Sequence, residues 1–259
     1  MNKPCLLVDA PDPAVVRLTL NRPDKRNALS IELIAQIRDA ARAAASETGR
    51  RVLIIGAAGP AFCAGLDLQE AAVPASAEQS AHLLAEMYEA IASSPLVTIA
   101  AARGAAMGGG AGIIAACDFA VVGDDFRLSY PEVHRGLVAA LVTCLLRRQI
   151  SDRSVRELVL LGQTIDATEA MQRGLVTQVV PGEQLDGHAG EIASQVCKGA
   201  PGAIARTKRL LDELSGRPIA EDLKIALRYH LEARNSPEAA EGIKAFLEKR
   251  SVAWASRPC

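Results

Sequence analysis

One stretch limits the possible folds more than any other: Ala102-Arg-Gly-Ala-Ala-Met-Gly-Gly-Gly-Ala-Gly-Ile-Ile-Ala-Ala-Cys-Asp118. The β-branched run Val97-Thr-Ile-Ala100 leads into it, and the apolar run Phe119-Ala-Val-Val122 leads out. Short apolar runs bounded by glycine read as buried strands, and the small apolar residues after Gly110 recur at helical density. The pattern therefore predicts strand, glycine turn, buried helix, strand. Glycine lets backbone approach a ligand with no Cβ in the way. A helix opening there leaves N–H groups unpaired in its first turn, with the positive end of the helix dipole behind them. Such an end receives an anion, or an oxygen on which negative charge develops. The same glycines also permit plain close packing of helix on sheet.

The rest of the chain alternates in the same way. Cys5–Val8 and Ala14–Leu20 read as paired strands about the turn Pro11-Asp-Pro13. A polar, basic loop follows, Asn21-Arg-Pro-Asp-Lys-Arg-Asn-Ala-Leu29, and Ser30 caps a helix through about Ala45. Val52–Gly56 is a short buried strand that runs into Ala57-Ala-Gly-Pro-Ala-Phe-Cys-Ala-Gly-Leu-Asp-Leu68. Glu78–Ala92 is amphipathic and helical. Arg127–Tyr130 is extended, since Pro131 disfavours the helical region for the residue before it, and Glu132 stands on the next turn. Leu137–Arg148 and Ser154–Leu161 read as helices, Asp166 or Thr168 caps a short one, and Leu175–Val180 reads as a strand. Only helices follow, at about 183–198, 202–214, 219–234 and 238–250. Residues 1–182 thus form an α/β core and 183–259 a helical region. Strands alternating with helices favour parallel pairing.

Composition narrows the function. The 259 residues carry a formal net charge of −1 with the two signs mixed, so no basic stripe invites nucleic acid. No apolar run is long enough to span a membrane, and the N-terminus lacks the long apolar segment of a signal peptide. Cys5, Cys63, Cys117, Cys144, Cys197 and Cys259 form no Cys-x-x-Cys, and most sit among apolar residues, which reads as reduced thiols in a cytoplasmic protein. His82, His134, His188 and His230 have no metal-ligand spacing, so no metal site is expected.

Two loops share one grammar of apolar strand, small residues and helix start: Phe62-Cys-Ala-Gly-Leu-Asp67 and Met107-Gly-Gly-Gly-Ala111. If Val52–Ile55 and Val97–Ala100 are neighbours, one backbone N–H from each converges on one carbonyl oxygen. Neither loop has the Gly-Lys-Ser/Thr of a phosphate loop, the spaced glycines of a dinucleotide fingerprint, or the serine of a nucleophile elbow.

These residues closely resemble the enoyl-CoA hydratase/isomerase (crotonase) family. The likeness is carried by Asn21–Leu29, Ala61–Leu68, Gly104–Gly112 with Ala116-Cys-Asp118, Pro131-Glu-Val133, Asp166–Ala170, Gly174-Leu-Val176 and Glu241–Arg250. It implies a crotonase-like spiral of ββα units, with a helical C-terminal trimerisation region that gives a homotrimer or a hexamer of stacked trimers. It implies an acyl-coenzyme A thioester as substrate and no separate cofactor. The oxyanion hole falls to the N–H groups of Leu66 and Gly109. Coenzyme A contacts fall near Ala28 and from Ala64 and Gly65 to Asp67, with Lys25 or Arg26 as phosphate partners and Phe246 and Lys249 on a closing C-terminal segment. Family members commonly carry lysine two positions after that aspartate; here it is Gln69.

The departures concern the acids. Family hydratases use two glutamates to hold water and exchange protons. The first position is Gly112 here, and the second is Glu132. The glycine-rich segment near the water site is replaced by Val138-Ala-Ala-Leu-Val142. One carboxylate suffices to move a proton between carbons, and it can also serve alone as base and acid in water addition. The resemblance therefore implies a 2-enoyl-CoA hydratase, with 3-enoyl-CoA isomerisation as the alternative and a non-catalytic coenzyme A- or RNA-binding member as a third. His134 points to the side of Glu132 if the backbone there is extended. Met107 and Tyr130 line the acyl pocket or simply pack, and Cys63, with no basic neighbour in sequence, is not a nucleophile.

Overall fold

A computed structural model describes residues 3–71 and 74–252. In chain order the elements are β1 (Leu6–Asp12), β2 (Val15–Leu20), α1 (Ile31–Ser46), β3 (Val52–Ala57), α2 (Leu68–Ala71), α3 (Pro74–Ala92), β4 (Val97–Ala102), β5 (Ala105–Met107), α4 (Gly109–Ala116), β6 (Phe119–Gly123) and β7 (Arg127–Ser129). They continue with α5 (Ala140–Gln149), α6 (Asp152–Leu161), β8 (Thr164–Asp166), α7 (Ala167–Gln172), β9 (Gln178–Val180), α8 (Leu185–Lys198), α9 (Pro201–Leu214), α10 (Ile219–Arg234) and α11 (Pro237–Leu247).

Two sheets organise the α/β part. The larger has the order β1-β2-β3-β4-β6-β9, antiparallel between β1 and β2 and parallel elsewhere. The smaller is β5-β7-β8. Isolated parallel bridges, Cys63 to Ala106 and Leu29 to Leu66, extend the second layer towards the start of the chain. The chain alternates between layers: β4 belongs to the first and β5 to the second, then β6 to the first and β7 to the second. That alternation, with helices between, is the spiral of ββα units. Val52 pairs with Val97 and Ile55 with Ala100, so the two strands that feed the small-residue loops are neighbours.

The local causes are those in the sequence. The Ser30 hydroxyl accepts from the Leu33 N–H and starts α1. Asp166 and Glu169 form a reciprocal capping box on α7. α1 buries Leu33, Ile34, Ile37, Ala41 and Ala44 at helical spacing, and each of its Leu and Ile side chains contributes about 1.5–3 kcal/mol on burial. α4 is buried on every side, as an all-round apolar helix must be.

The structure departs from the sequence reading at several boundaries. Leu137–Ala139 are not helical: Gly136 ends the turn before them in a left-handed conformation (φ 65°), and the Leu137 N–H donates to the Glu132 carbonyl, so α5 begins at Ala140. Of the run Leu175–Val180 only the last three residues pair as a strand, because the Leu175 N–H is held by the Ala170 carbonyl at the end of α7. The first hairpin turns at Pro13–Ala14, where Asp12 and Val15 are paired. Among the described residues no helix is long and apolar enough to cross a membrane.

Candidate active site

The first turn of the site is built by hydrogen bonds between two loops. Asn27 is fully buried with φ 53°; its amide nitrogen donates to the carbonyls of Ala58 and Ala61, and its oxygen accepts from Arg22 N–H. Arg22 also donates to the Ala28 carbonyl and pairs with Asp67 at 3.1 Å. The Ala64 N–H donates to Arg26, Leu29 N–H to Gly65, and Asp67 N–H to Leu29. In such a parallel bridge the partner's own N–H points the other way. Leu66 N–H accordingly has no protein acceptor among the described residues.

The second turn is set against the first. Cys63 N–H donates to Ala105, Met107 N–H to Cys63, and Gly108 N–H to Ser129. Gly108 (φ 49°) then opens α4, and among the described residues the Gly109 N–H is left without a protein acceptor, one of the orphans of a helix start. Gly65 (φ 88°) lies where the turns touch: a Cβ there would be 2.8 Å from the Met107 carbonyl oxygen and 3.7 Å from Gly109 N. Separate loops therefore set Gly65, the residue before Leu66, against the Met107–Gly109 backbone.

Glu132 sits on a short 3₁₀ turn, Pro131–Arg135. Its Oε1 is 2.9 Å from where a Cβ on Gly108 would stand, and its Oε2 is buried with no hydrogen-bond partner. Burial raises its pKa from the ordinary 4.5 to about 7, with the Arg135 charge acting the other way. The Tyr88 and Tyr130 hydroxyls, held by the Gly109 and Ala111 carbonyls, titrate well above the ordinary range because of burial first and the Glu132 charge second. Cys63 is fully buried and its thiol is pushed up to about 12 by desolvation, so it stays protonated.

The two turns and Glu132 open on one cavity of about 740 Å³. Leu66, Gly109 and Glu132 line it together with Lys25, Arg26, Ala28, Ala64, Gly65, Asp67 and Phe246. Lys249, just beyond α11, does not line it. Asp67 is committed to Arg22 and to the Gln69 N–H, so its carboxylate braces the loop. His134 is exposed at the cavity wall and faces Gly162. The turn that carries it is helical and not extended, so residues two apart diverge, which corrects the expectation that it shares a side with Glu132. Tyr130 is fully buried and does not line the cavity, whereas Met107 does.

Sequence reasoning missed four side chains. Arg22 ties the Asn21–Leu29 loop to Asp67 on the next loop. Arg135 faces Glu132 and stacks on the Phe246 ring at 4.5 Å. Tyr88 fills the space beside Gly112. His230 lines the cavity from α10. Tyr88 and His230 looked like ordinary positions on amphipathic helices, and nothing in their spacing separates them from core residues.

Comparison with known proteins agrees with this architecture. The protein-family model described as enoyl-CoA hydratase/isomerase matches residues 12–257. The chain belongs to that family. It is 33% identical to a mevalonyl-coenzyme A hydratase of Aspergillus fumigatus, over 96% of this chain and 94% of that one. It is 31% identical to an enoyl-CoA isomerase/hydratase of Mycosarcoma maydis, over 91% and 90%. The crystal structure of an enoyl-CoA hydratase from Mycobacterium avium superposes with a TM-score of 0.86 at 33% identity, covering 98% of this chain and all of that one.

Proposed function

We propose that the protein adds water reversibly to a 2-enoyl-CoA. The observation that carries the reading is Glu132, whose Oε2 is buried and without a hydrogen-bond partner among the described residues, in the same cavity as Leu66 and Gly109, whose N–H groups have no protein acceptor among those residues. In the hydration direction ionised Glu132 takes a proton from water as the water oxygen bonds to C3. The C2=C3 electron pair moves into the thioester, and the resulting enolate oxygen is held by the two N–H groups. Protonated Glu132 then gives that proton to C2 and the carbonyl re-forms. Each oxyanion donor is worth roughly 3–4 kcal/mol of barrier. A carboxyl that titrates near neutrality is matched to both taking and giving the proton.

Lys25 and Arg26 at the mouth are assigned to the coenzyme phosphates, and the backbone at Ala28, Ala64 and Gly65 to its adenine and pantetheine portions. Phe246 closes over them. The assembly is proposed to be a homotrimer or a hexamer in the cytoplasm; the exposed Leu210, Leu211 and Leu214 on α9 support burial of that helix against another copy. Incubating crotonyl-CoA and a 3-enoyl-CoA with wild type and Glu132→Gln tests the reading. Hydration that falls at least a hundredfold in the variant supports it. Faster turnover of the 3-enoyl substrate by the wild type favours isomerisation, and an unchanged variant removes Glu132 from the chemistry.

A further inference from the structure

Helix α11 has no part in the steps above beyond Phe246. It packs on the Pro131–Arg135 turn that carries Glu132, and on α10. The contact with the turn is backbone on backbone. A Cβ on Gly136, which ends the turn with φ 65°, would stand 2.5 Å from the Glu238 carbonyl and 2.8 Å from Ala239 N. A Cβ on Gly242 would collide with the Arg135 carbonyl and come within 2.7 Å of its Cα. Each element thus presents a glycine to the main chain of the other. Glycine weakens a helix interior, so Gly242 answers a need for close approach.

Side chains complete the joint. Leu137, Ala239 and Ile243 form a small buried cluster of their own, apart from the main core. The Arg135 guanidinium lies over the Phe246 ring at 4.5 Å. The Leu137 N–H donates to the Glu132 carbonyl at 3.0 Å, so what holds Leu137 also holds the backbone of Glu132. The Glu132 Oε2 has no hydrogen-bond partner among the described residues. That oxygen is therefore placed by the turn and not by a partner of its own.

We infer that α11 positions Glu132 through Gly242, whose bare α-carbon lets the helix seat on the Arg135 carbonyl and hold the turn against the cavity. The kinetic consequence rests on the hydratase reading above; the state of the carboxyl is tested without turnover. Arg135, Tyr88 and Tyr130 are the charged and titratable groups that act with Glu132, and the variants leave them, and Glu238, Glu241 and Lys244 on α11, in place. A change in the titration of Glu132 then reports its burial and not a lost charge. Protein labelled at its glutamate side-chain carboxyls is titrated by NMR without ligand, and the Glu132 signal is the one missing from Glu132→Gln. Wild type is expected to titrate at about 7. Gly242→Ala, which pushes the helix off the turn, is expected to lower that midpoint by about one pH unit and kcat for crotonyl-CoA by about a hundredfold. Ile243→Ala, which empties the small cluster outside the cavity lining, is expected to act in the same direction, and Ile243→Val to stay near wild type; if Gly242→Ala does not fold, the Ile243 pair decides. A midpoint that does not fall in the folded variants overturns the inference, whether the melting temperature alone drops or affinity for coenzyme A alone weakens, since α11 would then only brace the fold or cover the coenzyme. A fallen midpoint with wild-type kcat overturns it as well. A wild type that hydrates no enoyl-CoA faults the hydratase reading, and the midpoints still decide the inference.

Discussion

The ring of Tyr88 stands where a side chain on residue 112 would go. A Cβ built on Gly112 collides with the Tyr88 hydroxyl oxygen and comes within 2.5 Å of Cζ and 2.7 Å of Val142 Cγ1. The same hydroxyl donates to the Gly109 carbonyl at 2.7 Å, in the first turn of α4. The position where the resemblance puts the first acid of family hydratases is thus closed by an aromatic ring from α3, and its hydroxyl also braces the glycine turn at the start of α4. A side chain on residue 112 and the ring of Tyr88 compete for one volume.

It follows that Gly112→Glu cannot restore a second acid by itself. The variant forces Tyr88 and Val142 aside, and overpacking of this kind costs about 1–3 kcal/mol. Thermal denaturation and crotonyl-CoA hydration are both expected to fall. Adding Tyr88→Ala opens the space, and the pair is expected to be coupled by about 1–3 kcal/mol relative to the two singles. Strict additivity in a double-mutant cycle would show that the two sites do not share the volume.

Glu132 also dictates a pH profile. In a one-acid syn addition the carboxylate is ionised at the start and regenerated at the end, in both directions. With its pKa at about 7, kcat/KM should fall tenfold per pH unit below that point and level off above it. A second, alkaline limb belonging to Glu132 would mean that its protonated form begins the reaction. Steady-state rates from pH 5 to 9 decide between these.

The same carboxyl trades stability for activity. Its folded-state pKa, about 7, lies above the ordinary 4.5 of an unfolded chain. The folded state therefore binds the proton more tightly, and stability from this group is full below the unfolded value and is lost as pH rises through 7. Above that, the ionised form costs up to about 3 kcal/mol. Glu132→Gln should raise the melting temperature at pH 8 and leave it nearly unchanged at pH 5. A gain of equal size at both pH values would argue that ionisation is not the cause.

Most of this architecture was legible because it follows from local rules. Val52–Ile55 and Val97–Ala100 are apolar on both faces and so read as central parallel strands; Ser30, Asp166 and the breaks at Gly199-Ala-Pro201 and Ser236-Pro237 delimit their helices by capping and by proline. The two small-residue turns were visible because glycine at Gly65 and Gly108 answers a backbone need. What escaped depended on tertiary context. β5 and β8 are three residues each, too short for any period, and exist because they flank β7. Tyr88 and His230 occupy ordinary core positions on helices α3 and α10, and what they meet is set by tertiary packing. Arg22 sits in a basic loop where charge suggests solvent, yet it binds Asp67 and the Ala28 carbonyl.

The two turn glycines respond differently to an added methyl, and the contrast tests the convergence itself. Gly65 has φ 88°, a region that side chains resist, and its Cβ would press the Met107 carbonyl at 2.8 Å. Backbone does not yield as a side chain does, so Gly65→Ala must part the two turns or twist the peptide that carries the Leu66 N–H. A loss of one donor's worth of stabilisation predicts a kcat about 10²–10³-fold lower, with strain of about 1–3 kcal/mol showing in the melting temperature. Gly109 has no such conflict: its Cβ would meet Leu29, Tyr88 and Leu84 side chains at 3.4–3.6 Å. Gly109→Ala should therefore fold close to normally and keep its backbone N–H in place. Crotonyl-CoA kinetics on both variants separates the outcomes. If Gly65→Ala retains wild-type kcat, the N–H of Leu66 does not meet the thioester oxygen, and the hole must be assigned elsewhere.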